Sequence, residues 1–462
     1  MNLTSHAFLL LFLPVILFLY WRVFKTGQTR LWCLLAFSYL FYALAGWEYV
    51  PLLLGLSAAT FLAARKGWFT CGIVLNLAGL AFFKFIGWEV AVLNGLGIRG
   101  ADTLLNLVLP LGLSYYTFKH ISYLLDVKWQ VYPASKDFTA FASYAAFFPQ
   151  ISAGPLSSFQ DTGQQLRNLP QRLTENQIFD SLVYIVIGLS KKILIADVLL
   201  KSLKGDAWSP LAAESGLISA WLLVLVSALG IYFDFSGYTD MVIGIAKLFG
   251  IQLPPNFNNP FLAKDIQDFW NRWHISLSKW FRVYLFFPLS RKFLKQVGIE
   301  KKGFAQSAAN LITMFLVGLW HGITFGNLAW GGLMGFLLIF QTGLKRRKKE
   351  IQPELLARIV FLVFLSIGVA VFISPDFAYA SLLMSKLFGL GGFEGWAFLS
   401  LSGNESLYAT LLIALAIAFS GFSEADKLPQ RRSKWFALAM GILLALCIMS
   451  IGKPVDFFYV QF

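Results

Sequence analysis

Apolar segments recur along the whole chain, many reaching or approaching the ~20 residues that a helix needs to cross a ~30 Å hydrocarbon core. This feature constrains the fold most, because inside lipid every backbone N–H and C=O must find a partner within the protein. Helices meet that demand segment by segment. The N-terminal apolar runs fall near residues 6–21, 31–46, 49–64, 68–86 and 104–125. Of 462 residues, 57% are hydrophobic, 17% aromatic and only 13% charged, unlike an ordinary soluble domain. The expected fold is an all-α polytopic integral membrane protein, one domain over residues 1–462, in contact with membrane lipid.

The 38 basic against 24 acidic residues (net +14) sit largely in short loops between apolar runs. There they set membrane orientation, and no nucleic-acid motif accompanies them. Arg22, Lys25 and Arg30 follow the first run and Arg65 and Lys66 the third, while the turns around Glu48 and over 89–102 are basic-poor. The positive-inside rule therefore puts the N-terminus outside. "GLKRRKKE" (343–350) and the basic stretch within 424–434 read as cytoplasmic loops, and 375–405 as outside. A last run over 435–451 then delivers the tail 452–462 to the outer face. The first apolar run has its positive charges after it, the reverse of a cleaved signal peptide, so a retained first helix is expected. Cys33, Cys71 and Cys447 lie alone in apolar surroundings, as small buried hydrophobes, with neither disulfide nor metal-ligand spacing.

The middle of the chain is less regular. Residues 138–150 are apolar but short, and "FPQISAGPL" breaks them with Pro149, Gly154 and Pro155. Such a segment at membrane depth must be buried in protein or line a water-filled cavity. Lys191 and Lys192 lie within an apolar run, and "YFDFSGYTD" carries Asp234 and Asp240. Residues 261–295 mix aromatics with Asp265, Asp268, Arg272, His274, Lys279 and Arg282, which fits re-entrant or interfacial helices. Asp268 and Arg272 have the spacing of an i,i+4 ion pair.

"LITMFLVGLWHGITFG" (311–326) holds a histidine in a stretch, 304–344, with no Asp, Glu, Lys, Arg, Tyr or Cys. An ionisable group in hydrocarbon costs a few kcal/mol or more, so His321 needs either a structural hydrogen bond or a chemical role. A helix from about 307 to 321, rising ~1.5 Å per residue, puts it deep in the membrane. His6 fits the outer interface. His120 accompanies Lys119 and Asp126, which offer an internal pair and a structural role. A histidine near neutral pKa is the usual group to take a hydroxyl proton, so His321 and His274 are the candidates for chemistry. No P-loop, GxSxG, GxGxxG, HExxH or paired-cysteine pattern is present.

"SYYTFKHISYLLDV", "FFPQISAGPL", "YFDFSGYTDMVIGIAKLFGI", "LPPNFNNPF", "DFWNRWHISLSKWFRVYLFFPL", "LITMFLVGLWHG" and the terminal "FFYVQF" follow one another in the order seen in membrane-bound O-acyltransferases. The chain resembles the bacterial branch that contains alginate O-acetylation, peptidoglycan O-acetylation and teichoic-acid D-alanylation proteins. The likeness is strong over a core of 105–342. It implies a ring of transmembrane helices around a thin centre, with a funnel from each face meeting near the histidine. His321 matches the family's catalytic histidine and His274 its second functional polar position. A cytoplasmic acyl thioester, here acetyl-CoA as co-substrate with no tightly bound cofactor or metal, then yields an ester outside.

Further expectations follow from the resemblance. Trp320 and Asn327 are candidate donors to the acyl carbonyl, and Lys191 and Lys192 to the donor's phosphates, although lysines that merely orient the chain explain the pair equally well. Phe457, Tyr459 and Phe462 fit an FxYxxF ending that is similar to an acyl-relay tail, with Tyr459 as transient acceptor; the bland counterpart is an interfacial aromatic anchor. The implied system sits in the bacterial inner membrane. It O-acetylates an extracytoplasmic polysaccharide with a periplasmic SGNH or esterase-like partner. D-alanyl transfer from a carrier protein, and a transporter or flippase, are the alternatives. Val283, "PLSR" and Met334-Gly335 depart from the pattern of the alginate proteins.

Overall fold

A computed structural model describes residues 2–96, 104, 107–203, 216–348, 351–390, 392, 405–427 and 433–452. Among these residues every regular element is helical. Five described helical stretches are long and apolar enough to cross a bilayer, or six when the pair Phe69–Lys84 and Ile86–Asn94, bent by 77°, counts as one span. The apolar runs at 31–46 and 49–64 are the helices Gly27–Gly46 and Val50–Lys66. Extended backbone at Gly46 and the turn Trp47–Tyr49 separate them. The chain divides into two compact units, the first holding Met1–Val186 and Tyr238–Pro255, the second Ile187–Gly237 and Asn256–Ser450.

In the first unit His120 is fully buried, and its Nδ1 lies 2.8 Å from Asn76 Oδ1. The Asn76 amide nitrogen donates to the Gly72 carbonyl (2.8 Å), which can only accept, so the Asn76 oxygen faces the ring and the ring donates. A buried, locally satisfied network of this kind carries packing rather than chemistry. Lys119 does not pair with Asp126. Its ammonium donates to Gln150 Oε1 (2.6 Å) and the Tyr144 carbonyl (2.9 Å), and Asp126 accepts from Tyr132 instead. Seven residues along a helix is about 10 Å, too far for a contact pair. The broken segment after Ala146 is buried, as required, with its polar groups met by side chains: Gln150 donates to the Pro155 carbonyl, and Ser152 bonds Tyr238. Cys33 is buried in this unit, whereas Cys71 is exposed, contrary to the expectation of burial for all three cysteines.

In the second unit the helices Lys302–His321 and Phe325–Arg346 form an antiparallel hairpin. Small residues set its closeness: a Cβ on Gly318 would strike the Asn327 carbonyl and lie 3.1 Å from Gly331 Cα. Such seams replace the hydrophobic drive that lipid cannot supply. The outer face of the first helix exposes Phe304, Leu311, Ile312 and Phe315, while Ala305, Ala309, Thr313, Met314, Val317 and His321 are buried. Apolar-out is the arrangement for lipid. The charged aromatic stretch forms short helices, Ile266–Trp270, Ile275–Phe281 and Phe287–Val297. The last of these exposes Arg291, Lys292 and Lys295, in keeping with an interfacial position.

Candidate active site

His321 is the last residue of its helix. Gly322, at φ 150°, ends the helix, and Thr324 caps the next one by accepting from Asn327 N at 3.2 Å. The imidazole is 5% exposed. Aromatic rings surround it: Trp320 at 4.5 Å between centroids, and Phe372 and Trp330 edge-on at 5.4 and 5.5 Å. Asn327 is buried, and its amide nitrogen lies 2.9 Å from where a Cβ on Gly322 would stand. Trp320 thus packs on the His321 ring, and Asn327 lies against the turn that follows it.

A cavity of about 420 Å³ runs along the same helix. Gln306, Asn310, Thr313, Met314 and Val317 line it from this side. These positions repeat every three or four residues, so they share one face, and His321 lies one turn past Val317 on that face. Leu277, Ser278, Phe281 and Arg282 line the opposite wall. Ser278 lies one turn after His274, whose carbonyl accepts from the Ser278 amide (2.9 Å). Each candidate histidine thus sits a single turn beyond a wall of the same cavity.

Polar and apolar side chains share the cavity lining. Arg282 is exposed, and two lining amides accept from cations, Gln306 from Arg346 (2.6 Å) and Gln267 from Lys345 (2.8 Å). Among the lining residues the Thr313 hydroxyl and the Trp270 indole N–H are both buried without a hydrogen-bond partner. Orphaned buried donors cost ~1–3 kcal/mol, so a guest that brings hydrogen-bond acceptors to them matches the cavity.

His274 begins the helix Ile275–Phe281 in a left-handed conformation (φ 43°, ψ 52°). It is 2% exposed, and its Nδ1 is 3.1 Å from Asn256 Oδ1. Phe235 packs edge-on against its ring at 4.6 Å. Burial pushes the imidazole down to about 3, so it is neutral at physiological pH. The expected Asp268–Arg272 pair forms at 2.8 Å.

Lys191 and Lys192 are held inside the protein. Lys192 Nζ meets Asp234 at 2.5 Å and Asp197 at 2.8 Å, and Lys191 Nζ meets Ser236 at 2.8 Å and Glu424 at 3.4 Å. Their charges are balanced by buried carboxylates, which removes the reason to read them as phosphate ligands. Glu424 also accepts from Tyr232 (2.7 Å) and the Asn259 amide (3.1 Å), so the segment 423–425 is core rather than the start of a solvated basic loop. Tyr459 lies outside the described residues. No group of three or more His, Cys, Asp or Glu gathers as a metal site among the described residues. Sequence reasoning passed over Asn256 and the polar stripe Gln306–Asn310–Thr313, although the helical spacing of the latter inside an apolar run was a usable signal.

The family model for membrane-bound O-acyltransferases matches residues 130–375, which include both candidate histidines. The chain is 33% identical over 446 residues to the "Probable alginate O-acetylase" of Pseudomonas putida, covering 91% of this chain and 87% of that relative. It is 31% identical to the peptidoglycan O-acetyltransferase of Helicobacter pylori over 79% of this chain and 74% of the relative. It is also 31% identical to the teichoic acid D-alanyltransferase of Streptococcus thermophilus, over 56% of this chain and 62% of the relative. With these matches, and with described residues that form only helices, several of them long and apolar enough to cross a membrane, the chain belongs to the membrane-bound O-acyltransferase family and is a multi-pass O-acyltransferase.

Proposed function

We propose that the chain takes an acetyl group from a cytoplasmic thioester, acetyl-CoA, for O-acetylation of an extracytoplasmic polysaccharide, peptidoglycan or an exopolysaccharide such as alginate, at the bacterial inner membrane. The observation that carries this reading is the cavity that runs from Gln306 to Val317 and stops one turn from His321. Those eleven steps of helix span roughly 17 Å, a length suited to an extended pantetheine arm. Arg282, which lines the cavity and is exposed, meets the donor's phosphates in place of Lys191 and Lys192. The relatives named as O-acetylases align over more of this chain than the D-alanyltransferase does, which supports acetyl as the group moved.

His321 acts as general base. It removes the proton of an acceptor hydroxyl as the oxygen attacks the thioester carbon. The C–S bond then breaks, the C–O ester forms, and the proton passes to the departing thiolate. The charge on the carbonyl oxygen needs a donor in a water-poor site; the Trp320 indole and the Asn327 amide are the candidates beside the ring. Tyr459 of the tail serves as transient acceptor, and a periplasmic esterase-like partner carries the acetyl group to the polysaccharide. The catalytic core is 105–342, and the basic stretches 343–350 and 424–434 face the cytoplasm, the latter from beyond Glu424.

Intact-mass analysis of the purified protein after exposure to isotopically labelled acetyl-CoA tests this, with His321→Ala alongside. Label on the C-terminal peptide of the wild type only is the expected result. Equal labelling of His321→Ala would remove the general-base role, and an unlabelled tail with continuing thiol release would remove the relay alone.

A further inference from the structure

Asn256 has no assigned role, yet four hydrogen bonds tie it to the segment His274–Ser276, one of them to the His274 ring. Its side-chain oxygen accepts from the Ser276 amide (3.1 Å) and the Ser276 hydroxyl (2.8 Å), and it faces His274 Nδ1 (3.1 Å). Its backbone carbonyl accepts from Ile275 N at 2.9 Å. A backbone N–H is a donor only, so the atom it meets is the amide oxygen, and the orientation of the Asn256 amide is settled. An amide oxygen cannot donate. His274 Nδ1 therefore carries the proton, and Nε2 carries the lone pair.

We infer that Asn256 is a positioning residue that locks His274 as the Nδ1–H tautomer, so that His274 takes part in acyl transfer as a neutral hydrogen-bond acceptor through Nε2 and not as a proton-transferring group. Several observations bear on this. The left-handed backbone at His274, uncommon for a residue with a side chain, is held by the hydrogen bonds of Asn256 to both following residues. The Asn256 amide nitrogen is buried with no partner in the structure, leaving a donor beside the ring that a bound carbonyl can satisfy. The charged groups of neighbouring elements are engaged elsewhere: Arg272 with Asp268, and Asp234 with Lys192. An amide N–H of the donor's pantetheine arm, donating to Nε2 of His274, would then be held in place while His321 takes the proton of the acceptor hydroxyl. Two histidines thus divide two tasks, acceptance of a hydrogen bond and acceptance of a proton. This rests on the assignment of acyl transfer to the His321 cavity.

The chain has only four histidines, so selective ¹⁵N-histidine labelling of the full-length protein in detergent micelles resolves the tautomer directly. His274, assigned by its loss in His274→Gln, is expected to show a protonated Nδ1 and an unprotonated Nε2 unchanged from pH 5.5 to 8.5. Thiol release from acetyl-CoA is measured in parallel. His274→Gln, whose carbonyl can stand in for Nε2, should keep at least a tenth of wild-type kcat with the same pH profile. Asn256→Ala should lose at least tenfold in kcat with little change in KM, together with the single-tautomer signature. An Nε2–H tautomer in the wild type, or His274→Gln reduced to the level of His321→Ala, overturns the inference. Failure of the parent reading is separate: it would show as His321→Ala retaining activity, whatever the tautomer of His274.

Discussion

Gly318→Ala adds one methyl group where the two helices of the His321 hairpin touch. Its Cβ would run into the Asn327 carbonyl and stand 3.1 Å from Gly331 Cα, both backbone atoms that cannot swing aside. The helices must part by several tenths of an ångström. Overpacking of this kind costs ~1–3 kcal/mol, offset in part by the ~0.5–1 kcal/mol that alanine gains over glycine inside a helix, for a net loss of about 0–2.5 kcal/mol. Function should suffer more than stability, because the shift moves Asn327 relative to His321, and misplacement by ~1 Å can cost ~10²-fold. We expect Gly318→Ala to lose about tenfold in acylation rate on this scale while remaining folded. Gly332→Ala on the facing helix is the control, since nothing lies within 4 Å of its added Cβ. Thermal midpoints by fluorescence-detected gel filtration and thiol release from acetyl-CoA read out the pair. If Gly318→Ala matches Gly332→Ala in both, the close approach does not position the site and the reasoning is wrong.

Two further outcomes follow from the ion pairs. Lys192→Met leaves buried Asp234 without its ammonium, and breaking such a pair costs ~3–5 kcal/mol; the yield of monodisperse protein should fall sharply, and Lys192→Met/Asp234→Leu should recover part of it. For Asp265, burial works to raise the carboxyl, but the Lys345 ammonium and the backbone N–H groups of Asp268 and Gln267 outweigh it and hold it below the usual carboxylate range. A depressed folded-state value means that this contribution is complete above the unfolded pKa of ~3.9 and is lost as pH falls through the folded one. Asp265→Asn should therefore lower the thermal midpoint at pH 7, with the gap from wild type closing as the pH drops below about 4; a constant gap across that window would contradict the assignment.

The helical membrane class was legible in the sequence, as was the isolation of His321 in a stretch otherwise free of titratable groups. The bilayer makes both readable, since hydropathy and the need to satisfy backbone groups act segment by segment. The Asp268–Arg272 pair was legible for a similar reason: its partners are one helical turn apart. Contacts between distant segments were not. Lys119 found Gln150 and not Asp126, and Lys191 found Glu424, more than two hundred positions away. Hydropathy says that a charge lies in apolar surroundings, but only the adjacency of helices names its partner. The same holds at the site. Sequence singled out His321 and His274 one by one, whereas the cavity between their elements, the place of Arg282 in its lining and the hold of Asn256 on His274 exist only once the segments pack. Tertiary structure decided those because a cavity, and a hydrogen bond across a loop, are properties of surfaces brought together and not of any one stretch of chain.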